Sequence, residues 1–343
     1  MDVLINLIKI IGVFSLLMGL VSVMTWVERR LSAIIQYRLG PNRVGPFGLL
    51  QPIADGIKFI QKEDIIPAEA HKVFYVLAPA LAVIPALCAF AVIPFGPTVT
   101  ILGQQVKLVI LDLDGGLLWA FAATGLGVYA IVLAGWSSNS KFSLIGGLRS
   151  SAQMVSYELP MALAVASVVL VSGTLRPTEI VAQQAGAFWH WNALKGGWQL
   201  LGFVIFTIAG YAETNRTPFD LPMSEAELVA GFHTEYSAMT FGLFFLGEYA
   251  NMILLSALGS VLFLGGWMSP IPYAPFTWVP GIVWFCLKIA MLLFVFSWTK
   301  GTLPRYRYDQ LMRLGWKVFL PVSLGWVVIT AAVLQFGGWV PKL

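Results

Sequence analysis

The chain has 343 residues, of which 58% are hydrophobic, 13% aromatic and only 11% charged, and its mean hydropathy is +0.80. A soluble domain of this length could not bury so much apolar surface, so the composition excludes a soluble globular protein and indicates a polytopic membrane protein. The net charge of +4 reflects membrane topology and argues against a nucleic-acid partner.

Eight apolar segments are candidates for membrane-spanning helices, which need about 20 residues and at least about 17. The fifth segment is short, and the third is rich in Gly and Ala. We therefore predict an all-α polytopic membrane protein, a single transmembrane domain over residues 1–343 with about eight transmembrane helices plus an interfacial amphipathic helix after helix one. The segments lie near residues 3–27, 73–95, 117–137, 152–172, 197–213, 240–264, 281–299 and 317–337.

Most of the 21 Lys and Arg residues follow the odd-numbered segments. The positive-inside rule then predicts that these loops face the cytoplasm or matrix and that both termini lie outside. The first segment is too long and lacks the preceding basic residues of a cleavable signal peptide. The predicted inside loops are residues 28–72, 138–151, 214–239 and 300–316.

The first inside loop carries an amphipathic pattern after a stretch rich in Gly and Pro. Ile53, Ile57 and Ile60 share one helical face, whereas Asp55 and Lys58 lie on the other. Such a helix is typical of one that lies along the membrane surface. It either anchors the loop or frames an opening for a lipid-soluble substrate, and spacing alone does not distinguish these roles.

The stretch from 212 to 237 concentrates acidic residues in an otherwise apolar chain. It contains one Arg216 and five carboxylates, namely Glu213, Asp220, Glu225, Glu227 and Glu235. Ionisable groups at membrane depth are costly and often functional. Topology places this stretch on the inside face, together with the basic loops.

Three further ionisable residues fall inside predicted spans: Glu158, Glu248 and Lys288. Each could simply form a buried pair that holds helices together. Taken with the acidic stretch, however, the two acids could form a proton-transfer series, since burial moves carboxyl pKa values toward neutrality.

Signatures of metal or redox chemistry are missing. The three histidines are too scattered for a metal site, and two cysteines support no iron–sulfur cluster or structural disulfide. We expect Cys88 and Cys286 to be small buried side chains inside helices. Residues 99–113 could form a short hairpin. We expect no catalysis by this chain alone.

Five segments resemble, in order, the signatures of the membrane subunit known as chain 1 of proton-pumping NADH:quinone oxidoreductase, respiratory complex I. They are ERRLSAIIQYRLGPNRVGPFGLLQPIADGIKFIQKED, SNSKFSLIGGLRSSAQMVSYELP, AETNRTPFDLPMSEAELVAGFHTEYS, FFLGEY and PRYRYDQLMRLGWKVFLP. The resemblance implies a subunit at the junction of the hydrophilic and membrane arms. Such a subunit forms much of the quinone-access tunnel and begins the proton-coupling path.

The resemblance also implies substrate, cofactors and partners. Quinone, with ubiquinone favoured, would be the substrate, while FMN and iron–sulfur clusters would lie in partner subunits. The partners would be the hydrophilic subunits of the quinone site, small membrane-arm subunits and membrane lipids. The location would be a bacterial inner membrane or, as second choice, a mitochondrial inner membrane.

Residue roles follow from the matching motif positions. The tunnel and its entrance would involve Glu28, Arg29, Arg38, Asp55, Lys58, Arg216 and Asp220. Proton coupling would involve Glu158, Glu213, Glu225, Glu227 and Glu248. Supporting charges would come from Lys288, Arg305, Arg307 and Asp309.

Two positions depart from the family pattern. Met223 stands where many members carry another acid, so that carboxylate is dispensable or replaced by a neighbour. Lys300 stands where Arg is common; it keeps the charge but loses the two-pronged guanidinium, which puts a paired-carboxylate role in doubt.

Other classes remain open at this stage. A related energy-converting hydrogenase or formate-linked complex would copurify with nickel–iron subunits. A free-standing ion or solute transporter would transport when reconstituted alone. A purely structural anchor would leave quinone kinetics unchanged when tunnel-facing residues are substituted.

Overall fold

The computed structural model describes residues 2–101, 104–195, 197, 199–220 and 230–337. These residues are mostly helical. The helices are α1 (Asp2–Ile35), α2 (Gln51–Gln61), α3 (Lys72–Ala89), α4 (Gly116–Ser137), α5 (Lys141–Ser172), α6 (Pro177–Gln183), α7 (Leu200–Glu213), α8 (Ala238–Phe263), α9 (Gly281–Thr302), α10 (Tyr308–Leu314) and α11 (Leu320–Phe336).

Within the described ranges, seven helical stretches are long and apolar enough to cross a membrane: α1, α3, α4, α5, α8, α9 and the continuous pair α10–α11. A π-helical turn, Gly315–Phe319, joins the last two. Helix α7 has 14 residues and rises about 21 Å, less than the roughly 30 Å of a hydrocarbon core. Each predicted apolar segment is helical, which confirms the all-α polytopic fold.

Two helices extend beyond the predicted apolar segments. Helix α1 continues to Ile35, and α5 begins at Lys141, so most of the predicted loop 138–151 is helical. Along the second extension the two helices approach closely, since a methyl group added at Gly147 on α5 would lie 3.3 Å from Gly135 Cα on α4. Hydropathy, which detects long apolar stretches, does not reveal such a contact between small residues.

The predicted hairpin is confirmed in part. Strands β1 (Val99–Ile101) and β2 (Gln104–Val106) pair antiparallel with Val99 opposite Val106, whereas residues 107–113 are not in a strand.

The expectation of buried cysteines is wrong. Cys88 and Cys286 lie in α3 and α9 as predicted, but both are exposed on the outer surface of the helix bundle. A helix that contacts lipid can present small apolar side chains outward, since apolar surface is not penalised there.

Helix α8 forms the centre of the bundle. Every residue from 252 to 263 is buried, as expected for a helix that is apolar on all sides. It packs against α3 and α9, and more lightly against α1, α2, α6 and α7. This helix therefore carries Glu248 and Tyr249 into the middle of the protein.

Helix α2 lies beside α1 and the start of α8. Its apolar face is open, with Ile53, Ile57 and Ile60 exposed by 59%, 49% and 72%, while Phe59 stacks obliquely on Phe241 of α8. The predicted amphipathic helix is therefore confirmed, and its exposed apolar face fits a helix lying along a membrane.

Candidate functional site: a buried charge cluster and a polar cavity

A tight turn after α7 positions Arg216. Gln153 on α5, fully buried, donates to Ala212 O at 2.8 Å, Asn215 Oδ1 at 3.1 Å and Phe219 O at 2.9 Å. Asn215 adopts a left-handed conformation with φ of 49°, which Asn tolerates better than most residues. One glutamine side chain thus holds the turn that points the guanidinium into the bundle.

Arg216 lies between two carboxylates from different helices. Its Nη1 donates to both oxygens of Glu28 on α1 at 3.0 and 3.1 Å, and its Nε lies 2.6 Å from Glu248 Oε1 on α8. The side chains are only 10%, 6% and 13% exposed, respectively. Breaking a buried pair of this kind costs about 3–5 kcal/mol, because a charge is left uncompensated.

The cluster is completed by two further side chains. Lys300 at the end of α9 pairs with Glu28 Oε1. The Tyr249 hydroxyl donates to Glu28 Oε2 at 2.8 Å, and its ring lies 4.3 Å from the Arg216 guanidinium carbon. Lys300 therefore does pair with a carboxylate, although through a single ammonium. Two cations and two carboxylates balance within this cluster.

The carboxylates control the ionisation of Arg216. Burial alone disfavours the charged guanidinium, but Glu248 and Glu28 outweigh it and raise the pKa of Arg216. Arg216 is therefore a permanent cation. Arg216 thus keeps its charge when the protonation of its neighbours changes.

An internal cavity of about 50 Å³ adjoins the cluster. It is lined by Glu213 from the end of α7, Glu248 and Asn251 from α8, His233, and apolar side chains that include Phe232 and Ile131. Because Glu248 contacts Arg216 and also lines the cavity, it joins the two regions.

Three polar atoms at the cavity have no hydrogen-bond partner within the described part of the chain. They are Glu213 Oε2, His233 Nε2 and Asn251 Oδ1. Buried polar groups are rarely left unsatisfied, and roughly 10–15 Å³ accommodates one water. The volume and the polar lining together suit a small cluster of waters.

His233 is a site residue that the sequence interpretation missed. It lies in the turn Gly231–His233, which packs so closely on α5 that a methyl group at Gly146 would lie 2.7 Å from Gly231 Cα. The three histidines are too scattered in the sequence for their spacing to indicate a shared site. The available signal was that His233 belongs to the acidic stretch, two residues from Glu235.

Glu158 on α5 lies near the same region. Its Oε1 would be 3.2 Å from a methyl group added at Gly125, and its carboxylate is close enough to interact electrostatically with Glu213. The structure therefore brings Glu158, Glu213 and Glu248 to one side of the bundle.

The predicted entrance residues lie around α2. Arg29 on α1 pairs with Asp55 on α2 at 2.6 Å, and Gln51 Nε2 donates to Asp55 Oδ1 at 2.9 Å. Arg38 is exposed and donates to Gln36, and Lys58 is exposed. The last two do not join the buried cluster.

The remaining predicted charges are distributed over several places. Arg305 Nη2 lies 3.3 Å from Asp220 Oδ2, and Arg307 pairs with Asp309 at an exposed position. Burial raises the pKa of Asp220, although Arg305 and Arg216 oppose that shift. Glu225, Glu227 and Met223 lie outside the described residues.

Lys288 lies near the C-terminal end of α8, far from the charge cluster around Arg216. Its ammonium donates to Gly266 O at 2.8 Å and Met268 O at 2.7 Å, and lies 4.1 Å from the Trp191 ring. It binds the carbonyls that follow α8 and forms no ion pair with Glu158, Glu213 or Glu248, the predicted coupling acids that the structure describes.

Comparison with known proteins identifies the family. Residues 8–331 match the family model described as NADH dehydrogenase. The chain belongs to this family. A relative from Rhodospirillum rubrum, named as a subunit of NADH-quinone oxidoreductase, is 52% identical, covering 95% of this chain and 93% of the relative. The resemblance that the motifs indicated is thereby confirmed.

Further members of the family come from other bacterial groups. The relative from Wolbachia pipientis, which carries the same subunit name, is 51% identical over 98% of both chains. One from Koribacter versatilis is 50% identical over 96% of both. Among the described residues of this family member, no three His, Cys, Asp or Glu side chains come together as candidate metal ligands.

The burial of His233 leads us to expect a specific pH dependence of the protein's stability. Burial lowers its pKa from 6.5 to about 3, so the folded state holds it neutral. Below pH 6.5 the histidine binds a proton in the unfolded state but not in the folded state, so the free energy of unfolding decreases progressively as pH falls toward 3. Above pH 6.5 the histidine is neutral in both states and causes no such loss. The thermal midpoint of the wild type should therefore fall relative to that of His233→Gln as the pH drops below 6.5.

The matched control is His190→Gln, since His190 is exposed. Its difference from the wild type should vary much less over the same range. A wild-type midpoint that tracks His233→Gln at every pH would contradict a buried neutral His233.

Proposed function

We propose that the chain is the membrane subunit of NADH:quinone oxidoreductase that forms part of the quinone-access tunnel and the first segment of the proton path. The observation that carries the proposal is the position of Glu248. It lies 2.6 Å from Arg216 in the charge cluster and also lines the polar cavity with Glu213 and His233. A change of charge in the charge cluster would therefore alter the electrostatic potential in the polar cavity.

The quinone side would lie between α1, α2 and the start of α8. An apolar quinone tail fits the open face of α2, which exposes Ile53, Ile57 and Ile60. The Arg29 and Asp55 pair ties α2 to α1 at the level of Glu28. This arrangement supports a passage from the membrane toward the charge cluster.

Coupling would follow from the charge balance of the reaction. Reduction of a quinone to a quinol takes up two electrons and two protons, so negative charge develops before protonation is complete. At an effective dielectric constant of 20, two unit charges 4 Å apart interact by about 4 kcal/mol. Such charge near Glu28 and Asp220 competes for Arg216, so Glu248 loses its counter-charge and takes up a proton.

Glu213 is the proton donor in this scheme. Its carboxyl group and Glu248 line one cavity, and waters there would carry the proton between them past His233. Glu158 would resupply Glu213, since the two carboxylates already interact electrostatically. The acidic stretch with Glu225 and Glu227 would respond to the quinone.

The names of the relatives support a place in NADH-quinone oxidoreductase, and the family resemblance suggests the rest of the assembly. Hydrophilic partner subunits with FMN and iron–sulfur clusters would deliver the electrons, and small membrane-arm subunits would extend the proton path. The substrate would be a quinone, with ubiquinone favoured. Bacterial relatives favour a bacterial inner membrane, with both termini outside.

Removing a proton-carrying acid should impair the coupling between quinone reduction and proton transfer. In the complete complex reconstituted in liposomes, Glu248→Gln and Glu213→Gln should slow proton-coupled turnover by about 100-fold, the lower range for loss of a general acid or base. NADH oxidation by an artificial electron acceptor should stay normal, because it bypasses the quinone. Proton uptake per electron is the decisive measurement.

The control is Glu179→Gln, which removes a half-exposed acid from α6. It should pump normally. If Glu213→Gln and Glu248→Gln kept full quinone reductase activity and full pumping per electron, the proposed path would be wrong.

The tunnel assignment makes a separate prediction. Ile57→Asp places a charge on the membrane-facing side of α2 and should raise the KM for a long-tailed quinone by about fivefold, or roughly 1 kcal/mol, with little change in kcat. A short-tailed soluble analogue should be unaffected. Lys62→Gln on the polar face is the control, and equal kinetics for Ile57→Asp and wild type would favour a purely structural helix.

A further inference from the structure

A surface groove lies near the start of α1, away from the charge cluster. It has a volume of about 200 Å³ and runs between α1, the segment before and after the hairpin, and the start of α9. Its lining is almost entirely apolar: Val13, Leu16, Phe95, Leu108 and Ile282. Such a groove suits a hydrocarbon chain.

The groove adjoins a polar pocket at one end. This second space of about 340 Å³ shares Lys9, Val109 and Ile110 with the groove and adds Asn6 and Lys107. The two spaces are therefore adjacent, with an apolar end and a cationic end on either side of Lys9.

Lys9 has unused capacity to bind an anion. Its ammonium carries three donors, and it donates to Val109 O at 3.2 Å while forming no ion pair with any carboxylate of the described residues. Lys107 is 62% exposed and pairs with Asp112 at 2.6 Å. Two ammonium groups with one neighbouring carboxylate leave the pocket positively charged.

The surroundings point to a membrane ligand. The neighbours of Lys9 on α1 are apolar and open, with Leu7, Ile8, Ile10 and Ile11 exposed by 51% to 61%. An isolated ammonium on such a surface lies where lipid headgroups meet hydrocarbon. From Lys9 to Leu16 the groove extends about 10 Å along the helix.

We propose that this groove binds one anionic phospholipid, with an acyl chain against Val13, Leu16 and Ile282 and the phosphate at Lys9. The match of charge selects an anionic headgroup, and the continuous apolar groove selects a lipid over a free phosphate. The bound lipid braces α1 against α9 at the end of the bundle opposite the charge cluster. This site is independent of the quinone path.

Photocrosslinking tests the site in the intact complex. A phosphatidylglycerol with a photoreactive acyl chain is incorporated into nanodiscs of phosphatidylcholine that hold the complex, and adducts are mapped by peptide mass spectrometry. Adducts should fall on residues 12–16 of α1. Unlabelled phosphatidylglycerol should compete with them more strongly than unlabelled phosphatidylcholine.

Two variants separate the headgroup from the acyl chain. Lys9→Gln should reduce the adducts about fivefold, the effect expected for one lysine near an anionic surface, and Lys9→Arg should restore them. Gly12 lines the groove and an added Cβ there meets nothing within 4 Å, so Gly12→Phe should place its ring in the groove without a clash and abolish the adducts.

The matched control is Gly19→Phe on the same helix, where an added Cβ also meets nothing within 4 Å. It should label as the wild type does. Absence of adducts in the wild type, equal competition by phosphatidylcholine, or unchanged labelling of Lys9→Gln and Gly12→Phe would each overturn the proposal.

Discussion

The contact of Arg216 with Glu28 and Glu248 is the interaction on which the site depends. It joins α1, the turn after α7 and α8, while Lys300 adds α9 through Glu28. Three ionisable groups, Arg216, Glu28 and Glu248, are largely buried together in a chain that is only 11% charged, while Lys300 is 43% exposed. Because each would be costly alone at membrane depth, the cluster holds these elements in one arrangement and leaves little freedom for independent movement.

In our proposal, that balance lets the charge cluster couple quinone chemistry to proton movement. Arg216 stays charged, and we propose that the carboxylates respond when charge develops nearby. Glu248 is the carboxylate that also reaches the polar cavity, where unsatisfied atoms of Glu213, His233 and Asn251 suit bound water. The family is established by near full-length relatives, while the path itself is our proposal.

Much of the fold could be predicted because long apolar segments specify membrane helices locally. Helix α2 could also be predicted, because its amphipathic spacing is a local pattern too. The pairing of charged residues was harder to predict from the sequence. Arg216 and Glu28 are 188 positions apart, and no local pattern indicates that they meet. The close contact of α5 with α4 at Gly135 and Gly147, and the cavity that His233 lines, were equally inaccessible from the sequence. These features exist only after the helices pack.

The most direct test follows the protonation of Glu248 during quinone reduction. Redox-induced infrared difference spectra of the complete complex should contain a carboxyl band that is absent in Glu248→Gln and altered in Arg216→Lys, because both the acid and its counter-charge define the signal. The control Glu179→Gln should retain the wild-type band. A spectrum that is identical in all four proteins would contradict the claim that Arg216 and Glu248 link quinone chemistry to the proton path.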